Sequence, residues 1–512
     1  MIGPLSELAL LLLDTSYSWI RMLIALAISL LLSIFMGIAM ARSKAVGRIL
    51  VPLIDILQTL PILAFFPIAI YLVLAVLPGL IGINFAVIFL IITSMLWNMI
   101  FGVYEAIRTL PNELIEIGRM YRLTLYQRLK NIFIPASLPR LSEQMSLSWA
   151  IGLFYLVTSE IFSTGSQQYA VQGIGVDLAN LGFSGNSAYY ALGIAVFVIF
   201  VIVTRLTLFS FFDRFANKFS LVPYGKRKRE STFNLALKRP VTGIFNALRP
   251  YYVRLKDVLS SVGFKEALKA TGYLVVVVFA ILVALFAYPY ISTSTVANLA
   301  SYEFNSLESL LFSFLRIWGA FAAIIAVAIP ISIYVVFLST HRNSYLLIFQ
   351  VLASIPATIL LPLLVYVSKS GEVVAFLVFF LSGLWYVIFS IIASTKYLQI
   401  NTDEIIRIFK VRGLYAWRKI YLKAIAPGLI TGAVTAIAAE WNASIIAERF
   451  SSSSGAVLTS VNTGMGKLLD VSLSSGNLYL MLVALINMTA MIILFNTFVW
   501  KKFYDRITSV YS

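Results

Sequence analysis

The chain repeats one pattern of prolines, and this duplication restricts its possible folds more than any other feature. The segment LQTLPILAFFP returns later as LASIPATILLP, so that Pro61 and Pro67 lie 295 residues before Pro356 and Pro362. Self-similarity at a fixed offset indicates a duplicated structural unit. This offset is far longer than a solenoid repeat, so we expect two homologous modules related by a pseudo-two-fold axis.

Charged and aromatic residues keep the same register. The offset of 295 residues also relates Arg21 to Arg316. Further along the chain the offset becomes 288 residues, which corresponds to a single gap of seven residues (295 − 288). This second offset relates Trp97 to Trp385, Glu116 to Glu404, Arg119 to Arg407, Pro139 to Pro427 and Glu160 to Glu448.

The composition predicts that both modules lie in a membrane. The chain is 60% hydrophobic and 12% charged, with a mean hydropathy of +0.92. An apolar run of about 20 residues is long enough to cross the hydrocarbon core as a helix. We therefore predict an all-α integral membrane protein built from two tandem modules of five and six transmembrane helices. The predicted spans are Trp19–Ala41, Leu50–Leu77, Phe85–Ile107, Leu141–Phe162, Tyr189–Phe209, Tyr273–Tyr290, Leu310–Leu338, Tyr345–Val367, Val373–Ser394, Leu429–Phe450 and Leu478–Trp500.

The net charge of +17 is concentrated on one side of the predicted spans, which argues against a nucleic-acid surface. With the N-terminus outside, the outer segments 1–18, 163–188 and 291–309 contain no Lys or Arg. The segment 212–270, assigned to the cytoplasm, holds 13 Lys and Arg against 4 acids. Cytoplasmic loops carry this excess of positive residues. We expect a multi-pass protein of the cell membrane with an outer N-terminus and a cytoplasmic C-terminus.

Three segments follow from this assignment. Residues 1–211 form the first module, 212–269 a basic cytoplasmic linker with an amphipathic helix, and 270–512 the second module. The linker is expected either to lie against anionic lipid or to form a specific binding site. The chain has no Cys and one His, which excludes a disulfide framework, a thiolate metal site and a His cluster. No metal site is therefore expected.

Each module carries one long polar loop at an equivalent place, at 112–135 and at 401–427. Each loop begins with acidic residues, as a helix N-terminus prefers, and then mixes apolar with basic residues. Ordinary solvated loops are the simple explanation, but a matched pair on one face is what a dimeric cytoplasmic partner needs. The residues expected to contact such a partner are Glu113, Glu116, Arg119 and Arg122 in the first loop, and Asp403, Glu404, Arg407 and Lys410 in the second.

The first loop resembles the EAA loop of ABC importer permeases, in which Glu-Ala-Ala is followed by a Gly and later by Ile-x-Leu-Pro. The matching positions are Glu116, Ile132, Ile134 and Pro135 in the first copy, and Glu404, Ile420 and Leu422 in the second. The departures are Ile117 with Gly118 and Ile405 with Ile406 at the Ala positions, Arg122 and Lys410 at the Gly position, and Lys423 at the final Pro.

Other segments resemble the nitrate, taurine, sulfonate and bicarbonate branch of these permeases. They are the proline-bearing run LQTLPILAFFP, the contexts SWIRM and SFLRI around the two arginines, and VTSEIF and IIAERF around Glu160 and Glu448. The resemblance covers most of both halves and implies a fusion of two permease subunits that translocates a small anion. It also implies a cytoplasmic ABC ATPase dimer and an extracellular or periplasmic substrate-binding protein as partners. ATP and Mg would be bound by the ATPase, and no cofactor is expected in this chain.

The sequence itself contains no P-loop, so the chain is not expected to be an enzyme. The nearest segment, Gly464-Met465-Gly466-Lys467, lacks the first Gly and continues with Leu. A gradient-driven secondary transporter is an alternative because such proteins also contain repeats, although those repeats usually invert. A membrane enzyme, the third class, would need clustered catalytic acids, His or Cys.

Ionisable and helix-breaking residues inside spans are expected to line a gate or a pathway. Pro61, Pro67, Pro356 and Pro362 would break backbone hydrogen bonds, which is tolerated beside a cavity or in packed protein, so a kink that only serves packing is the alternative.

Charges inside a membrane are expensive and mark functional positions. We expect either that Arg21 and Arg316 pair with Glu160 and Glu448 and close an outer gate, or that these side chains reach water. Glu440 lies near the middle of its span, and its counterpart is Gly152. It is expected either to face a wet pathway or to form a structural pair.

Overall fold

The computed structural model describes residues 4–59, 62, 73–74, 76–161, 171–183, 186–219, 294–339, 341–394, 420–451, 457–495 and 498–499. Most of the predicted linker and the predicted span Tyr273–Tyr290 lie outside these residues. The same holds for Pro61, Pro67 and the residues Asp403, Glu404, Arg407 and Lys410 of the second polar loop.

The described part of the first module is helical. Its described helices are α1 (Pro4–Arg42), α2 (Lys44–Thr59), α3 (Leu80–Arg108), α4 (Asn112–Met120), α5 (Leu125–Arg128), α6 (Ile134–Ile161), α7 (Ile174–Phe183), α8 (Ser187–Thr204) and α9 (Ser210–Asn217), with π-helical turns at Leu129–Phe133 and Arg205–Phe209.

The second module repeats this order. Its described helices are α10 (Ser294–Ile333), α11 (Arg342–Ala353), α12 (Ala357–Ser368), α13 (Gly371–Ser394), α14 (Leu422–Glu448), α15 (Met465–Ser474) and α16 (Leu478–Phe495), with a π-helical turn at Tyr334–Leu338. A short β-ribbon interrupts the helices of this module. After Glu448 the chain forms an antiparallel ribbon of β1 (Arg449–Ser451) and β2 (Val457–Ser460), because Arg449 takes an extended conformation that ends α14.

The predicted membrane fold is confirmed. Within the described part of the chain, six helices are long and apolar enough to cross a membrane, and the bent pair α11–α12 makes a seventh by the same measure. Helix α1 is continuous from Pro4 to Arg42 and so begins well before the predicted first span. Its 39 residues extend to about 58 Å, so the helix projects beyond the hydrocarbon core.

The hydrophobic core of each module is built around one central span. In the first module this span is α3. Val87, Ile91, Met95 and Met99 of α3 recur every four residues and are buried against α1 and α6. Such a stripe is the buried face of a helix. Phe85 on the opposite face is exposed, and an exposed aromatic side chain on a membrane helix faces lipid.

One helix contact shows that the two modules share a backbone arrangement although their side chains have changed. In the first module, Gly102 of α3 lies directly beneath Gln144 of α6. In the second module the equivalent positions are Ser390 of α13 and Gly432 of α14, which are also in close contact. The glycine has moved to the opposite helix of the pair. Either arrangement lets the two backbones approach closely, which is how membrane helices pack.

Candidate functional site

A buried carboxylate joins three elements of the first module. Glu160, at the end of α6, is 1% exposed. Its Oε1 accepts hydrogen bonds from Ser18 Oγ and Arg21 Nη1 of α1, both at 2.7 Å, and its Oε2 accepts one from the backbone N–H of Gly175 at 2.9 Å. Gly175 lies in the first turn of α7. We call this arrangement the first carboxylate node.

The second module contains the same node. Glu448 Oε1 accepts hydrogen bonds from Ser313 Oγ at 2.6 Å and from Arg316 Nη1 at 3.2 Å. Its Oε2 accepts one from the backbone N–H of Gly466, in the first turn of α15, at 2.7 Å. Ser18 and Ser313 keep the offset of 295 residues found for the two arginines. The duplication therefore preserved a complete set of donors around each carboxylate.

The serines of the nodes also hold the short helices. Ser18 Oγ accepts a hydrogen bond from the N–H of Ile174 at 3.0 Å, and Ser313 Oγ accepts one from Met465 at 2.7 Å. The first N–H groups of a helix have no intrahelical partner and carry positive partial charge. Each node therefore satisfies two N–H groups and places a negative charge where the helix dipole favours it.

Each node requires glycine immediately before its short helix. A Cβ at Gly173 would collide with the carboxylate of Glu160, and a Cβ at Gly464 would collide with that of Glu448. The arginines complete this connection, because Arg21 Nη2 donates to the carbonyl of Gln172 and Arg316 Nη1 to that of Thr463, both at 2.6 Å. The roles of Thr463 and Gly464 were not identified from the sequence, because their offset of 291 residues from Gln172 and Gly173 matches neither offset of the repeat.

Both arginines lie about one hydrocarbon thickness from the far end of their helix. Arg21 is about 32 Å from Arg42, and Arg316 is about 33 Å from Leu338, at 1.5 Å per helical residue. The pairs join elements of the same module and do not bridge the two modules. Burial of both glutamates excludes the alternative that they reach water. The pairing is confirmed, and the role of the pairs as an outer gate stays a prediction.

The two nodes differ in one further partner of the arginine. Arg21 Nε donates to the amide oxygen of Asn84 at 2.8 Å. At the equivalent position the second module has Glu372, which accepts two hydrogen bonds from Arg316, at 2.6 and 2.8 Å. Arg316 is thus shared by two carboxylates, while Arg21 is balanced by one among the described residues.

A further carboxyl pair borders the first node. Gln172 Nε2 donates to Asp14 Oδ1 at 2.7 Å, and Asp14 lies close to Asp177 of α7. Helix α7 is too short to be one of the candidate spans. Burial and the neighbouring carboxyl group of Asp14 raise the pKa of Asp177 to about 8. The equivalents in the second module are Ser309 and Leu468, so this pair belongs to the first module alone.

The nodes predict a difference in stability between matched variants. Glu160→Gln should lower the free energy of unfolding by about 3 kcal/mol, because it leaves the buried Arg21 without a countercharge. Glu448→Gln should lower it by less, because Arg316 keeps Glu372. Thermal unfolding of the purified protein in detergent measures both.

Glu143→Gln serves as the control for these variants. Glu143 is half exposed and pairs with Arg140 at 3.4 Å, and such surface pairs contribute little. Equal losses in Glu160→Gln and Glu143→Gln would contradict the node.

The proline-bearing span of the second module is broken where the sequence predicted it. Helices α11 and α12 meet at Pro356 with a bend of 77°. Helix α12 packs on the first module: Pro362 lies against Gly182 of α7, and Tyr190 of α8 donates to the carbonyl of Ile359 at 2.5 Å. The kink thus serves packing between the modules, and its role in a pathway stays a prediction.

Glu440 is fully buried, and neither carboxylate oxygen has a hydrogen-bond partner in the described part of the chain. Its side chain extends to Gly383 of α13. In the first module Gly152 is equivalent to Glu440, and Met95 is equivalent to Gly383, so the large and the small residue are exchanged. Gly152 lies beneath the side chain of Met95. Glu440 therefore fills the space that a methionine fills in the other copy. The structural pair predicted for it is not present among these residues, and its role beside a wet pathway stays a prediction.

This exchange predicts a compensating pair of substitutions. Gly383→Met alone should destabilise the protein by about 1–3 kcal/mol, because it overfills a packed site. Adding Glu440→Gly recreates the pairing of Met95 with Gly152 and should recover most of that loss. Melting temperatures of both single variants and the double variant measure this coupling. A double variant less stable than Gly383→Met would contradict the exchange.

The first polar loop forms the short helix that the sequence predicted. Glu113 and Glu116 are exposed on α4, and Arg119 lies in the same helix. The helix ends in a Schellman motif, in which the N–H of Leu123 donates to the carbonyl of Gly118 at 3.1 Å. Arg122 takes the left-handed conformation at φ 47°. This is the position at which the EAA loop has Gly, so the turn is retained without its usual residue.

Two contacts explain why the rest of the motif is spaced as it is. Gly118, at the second Ala position, lies beneath Ile132, at the Ile position. Thr124 and Gln127 form a capping box at the start of α5, with distances of 2.8 and 3.3 Å. The sequence did not single out Met120 and Tyr121, which are 80% and 76% exposed at the end of α4. Large exposed apolar side chains on a loop indicate a contact surface.

The left-handed residue predicts a stabilising substitution. Arg122→Gly should raise the free energy of unfolding by about 1 kcal/mol, because a residue with Cβ pays about that much in this conformation. Arg122→Ala keeps the backbone restriction and should give no gain. Thermal unfolding compares the two, and an equal gain in both would assign the effect to the lost charge.

A profile for the inner membrane component of binding-protein-dependent transport systems matches residues 10–220 and again residues 328–500. The two matches cover more than half of the chain. This chain belongs to that family. The repeated match also confirms the tandem permease modules predicted from the proline register.

Individual members of the family show weaker similarity. The nitrate import permease of Synechococcus elongatus is 26% identical over 164 residues, which is 31% of this chain and 54% of that protein. The bicarbonate transport system permease of the same organism is 24% identical over 152 residues, 30% of this chain and 52% of its own. The glycine betaine/proline betaine transport permease of Salmonella typhimurium is 25% identical over 202 residues, which is 37% of this chain and 52% of that protein.

The chain thus spans about half the length of the curated relatives it matches. All three relatives are permease subunits of transport systems by name. A multi-pass membrane permease is the class to which this chain belongs.

Proposed function

We propose that this chain is the membrane-spanning permease of an ATP-driven importer, with both halves of the permease in one polypeptide. The observation that carries the proposal is the double match to the binding-protein-dependent transport family. Such permeases are commonly pairs of subunits, and the two modules here supply both. Gradient-driven transport, the alternative drawn from the sequence, rests on the repeats alone, and the family match does not favour it.

The transported solute is a small anion of the nitrate, bicarbonate or sulfonate class. Two relatives are named for import of nitrate and bicarbonate, and the segments around the prolines and the nodes resemble that branch.

A cytoplasmic ABC ATPase dimer docks on the two polar loops. In the first loop the exposed side chains of Glu113, Glu116, Met120 and Tyr121 form one surface at α4. Acidic side chains can steer a basic partner surface, and the apolar pair fills a groove in it. The ATPase binds ATP and Mg, and its closure draws the two loops together.

The carboxylate nodes transmit this movement. Each node fastens the short helix α7 or α15 to a long span, so that the short helix moves with its module as one rigid body. A substrate-binding protein would meet the outer face, where α7 and α15 lie in the topology predicted from charge. The N-terminus then lies outside the cell membrane and the C-terminus in the cytoplasm.

Reconstitution in proteoliposomes tests the assignment. With the cognate ATPase and binding protein, the complex should accumulate nitrate or bicarbonate only when ATP is supplied. The permease alone, under a proton or sodium gradient, should accumulate neither. Gradient-driven accumulation by the isolated chain would overturn the proposal.

Charge reversal tests the docking loops. Glu116→Lys combined with Glu404→Lys should abolish co-purification of the ATPase or uncouple ATP hydrolysis from uptake, since two attractive contacts become repulsive. The membrane fold should remain, because exposed substitutions change stability little. Glu308→Lys, an exposed carboxylate on α10, is the control and should transport normally. Full transport by the double variant would refute the docking surface.

A further inference from the structure

The broken span of the second module leaves polar groups unpaired inside the protein. Helix α12 begins at Ala357, immediately after Pro356, and no side chain caps this N-terminus. The first N–H groups of a helix have no intrahelical partner. That of Ile359 is taken by the carbonyl of Pro356 at 3.1 Å.

A hydroxyl group lies at the same place. Thr358, the second residue of α12, is 1% exposed, and its Oγ1 has no hydrogen-bond partner in the described part of the chain. The Cα–Cβ bonds of a helix tilt toward its N-terminus, so this hydroxyl points toward the open end of α12. A buried donor without a partner is expensive, and a ligand would satisfy it.

At the equivalent positions the first module has neither the hydroxyl nor the uncapped N–H group. Its counterpart of Thr358 is Leu63. The N–H of Ile62, which corresponds to Ala357, donates to Asn442 Oδ1 of the second module at 2.7 Å. The position that corresponds to Asn442 is Phe154, which has no acceptor. The N–H of Ile62 is therefore capped by the other module, whereas the N-terminus of α12 has no side-chain cap and carries an additional hydroxyl.

The open break lies at mid-depth and at the contact between the modules. Helix α11 has 12 residues, which is about 18 Å, or rather more than half of a hydrocarbon core of about 30 Å. Helix α12 packs against α7 and α8 of the first module through Pro362 and Ile359. A transport path formed by both modules would run along their contact. At this depth the N-terminus of a half-helix suits an anionic group.

We propose that the N-terminus of α12, together with the hydroxyl of Thr358, binds the oxyanion group of the solute as it crosses the membrane. This rests on the proposed importer function and assigns the substrate contact within it. The ligand chemistry is a small planar oxyanion, which nitrate, bicarbonate and the carboxylate of a betaine have in common. We call the N-terminus of α12 and the hydroxyl of Thr358 the station; the equivalent N–H of Ile62 is already paired with Asn442 and takes no part.

Substitution of Thr358 tests whether the station binds the solute. The experiment uses the reconstituted complex with the ATPase and the loaded binding protein. Nitrate, bicarbonate and glycine betaine are offered separately, and solute imported per ATP hydrolysed is measured. Thr358→Val should lower this ratio about tenfold or more for the transported solute, which is the effect of one hydrogen bond to a charged group. Thr358→Ser keeps the hydroxyl and should retain the wild-type ratio.

Two other variants separate the station from general packing effects. Ser332→Ala in α10 removes another fully buried hydroxyl without a partner among the described residues, and its ratio should not change. Phe154→Asn places an amide at the position equivalent to Asn442, from which it would cap the N–H of Ala357, and it should compete with the solute and lower the ratio.

The outcomes distinguish the two proposals. No ATP-dependent uptake of any of the three solutes by the wild-type complex would overturn the proposed function and the station with it. Normal wild-type uptake with equal ratios in Thr358→Val and Ser332→Ala would overturn the station alone. The solute whose ratio falls in Thr358→Val identifies whether an inorganic oxyanion or a carboxylate occupies it.

Discussion

The buried carboxylates of Glu160 and Glu448 are the interactions on which the arrangement of each module depends. A carboxylate away from water is unfavourable unless it is paired and hydrogen-bonded. Each of these receives a guanidinium, a serine hydroxyl and a backbone N–H. The three donors come from a long span and a short helix, so satisfying the charge fixes the position of both. Removing the arginine would leave a buried carboxylate without its countercharge.

The two modules keep this frame while their interiors differ. The glycine of one close helix contact has changed sides, from Gly102 to Gly432. Glu440 fills an internal space that Met95 fills in the other copy. Asn442 accepts a hydrogen bond from the N–H of Ile62, whereas its counterpart Phe154 has no acceptor. A duplicated chain can diverge in this way because the backbone frame tolerates exchanges that conserve volume. The result is one frame, repeated in both modules, around interiors that differ.

Much of the fold followed from the sequence because its signals are long and repeated. Apolar runs of span length and the register of prolines and acids predicted the membrane helices, the two modules and the break at Pro356. The Arg21–Glu160 and Arg316–Glu448 pairs could also be predicted, since opposite charges in adjacent spans have few other partners. The serines and glycines of the nodes could not, because small residues occur throughout membrane helices and have meaning only when the neighbouring backbone is known.

The sequence by itself determined the class of protein, the duplication and the places where charge enters the membrane, because these depend on composition and spacing along the chain. Tertiary structure decided which of those charges are paired. It placed the side chain of Glu440 against Gly383, and it left the hydroxyl of Thr358 at a helix N-terminus without a hydrogen-bond partner among the described residues. These outcomes depend on which backbones approach one another closely, and that distance is set by packing across helices that lie far apart in sequence.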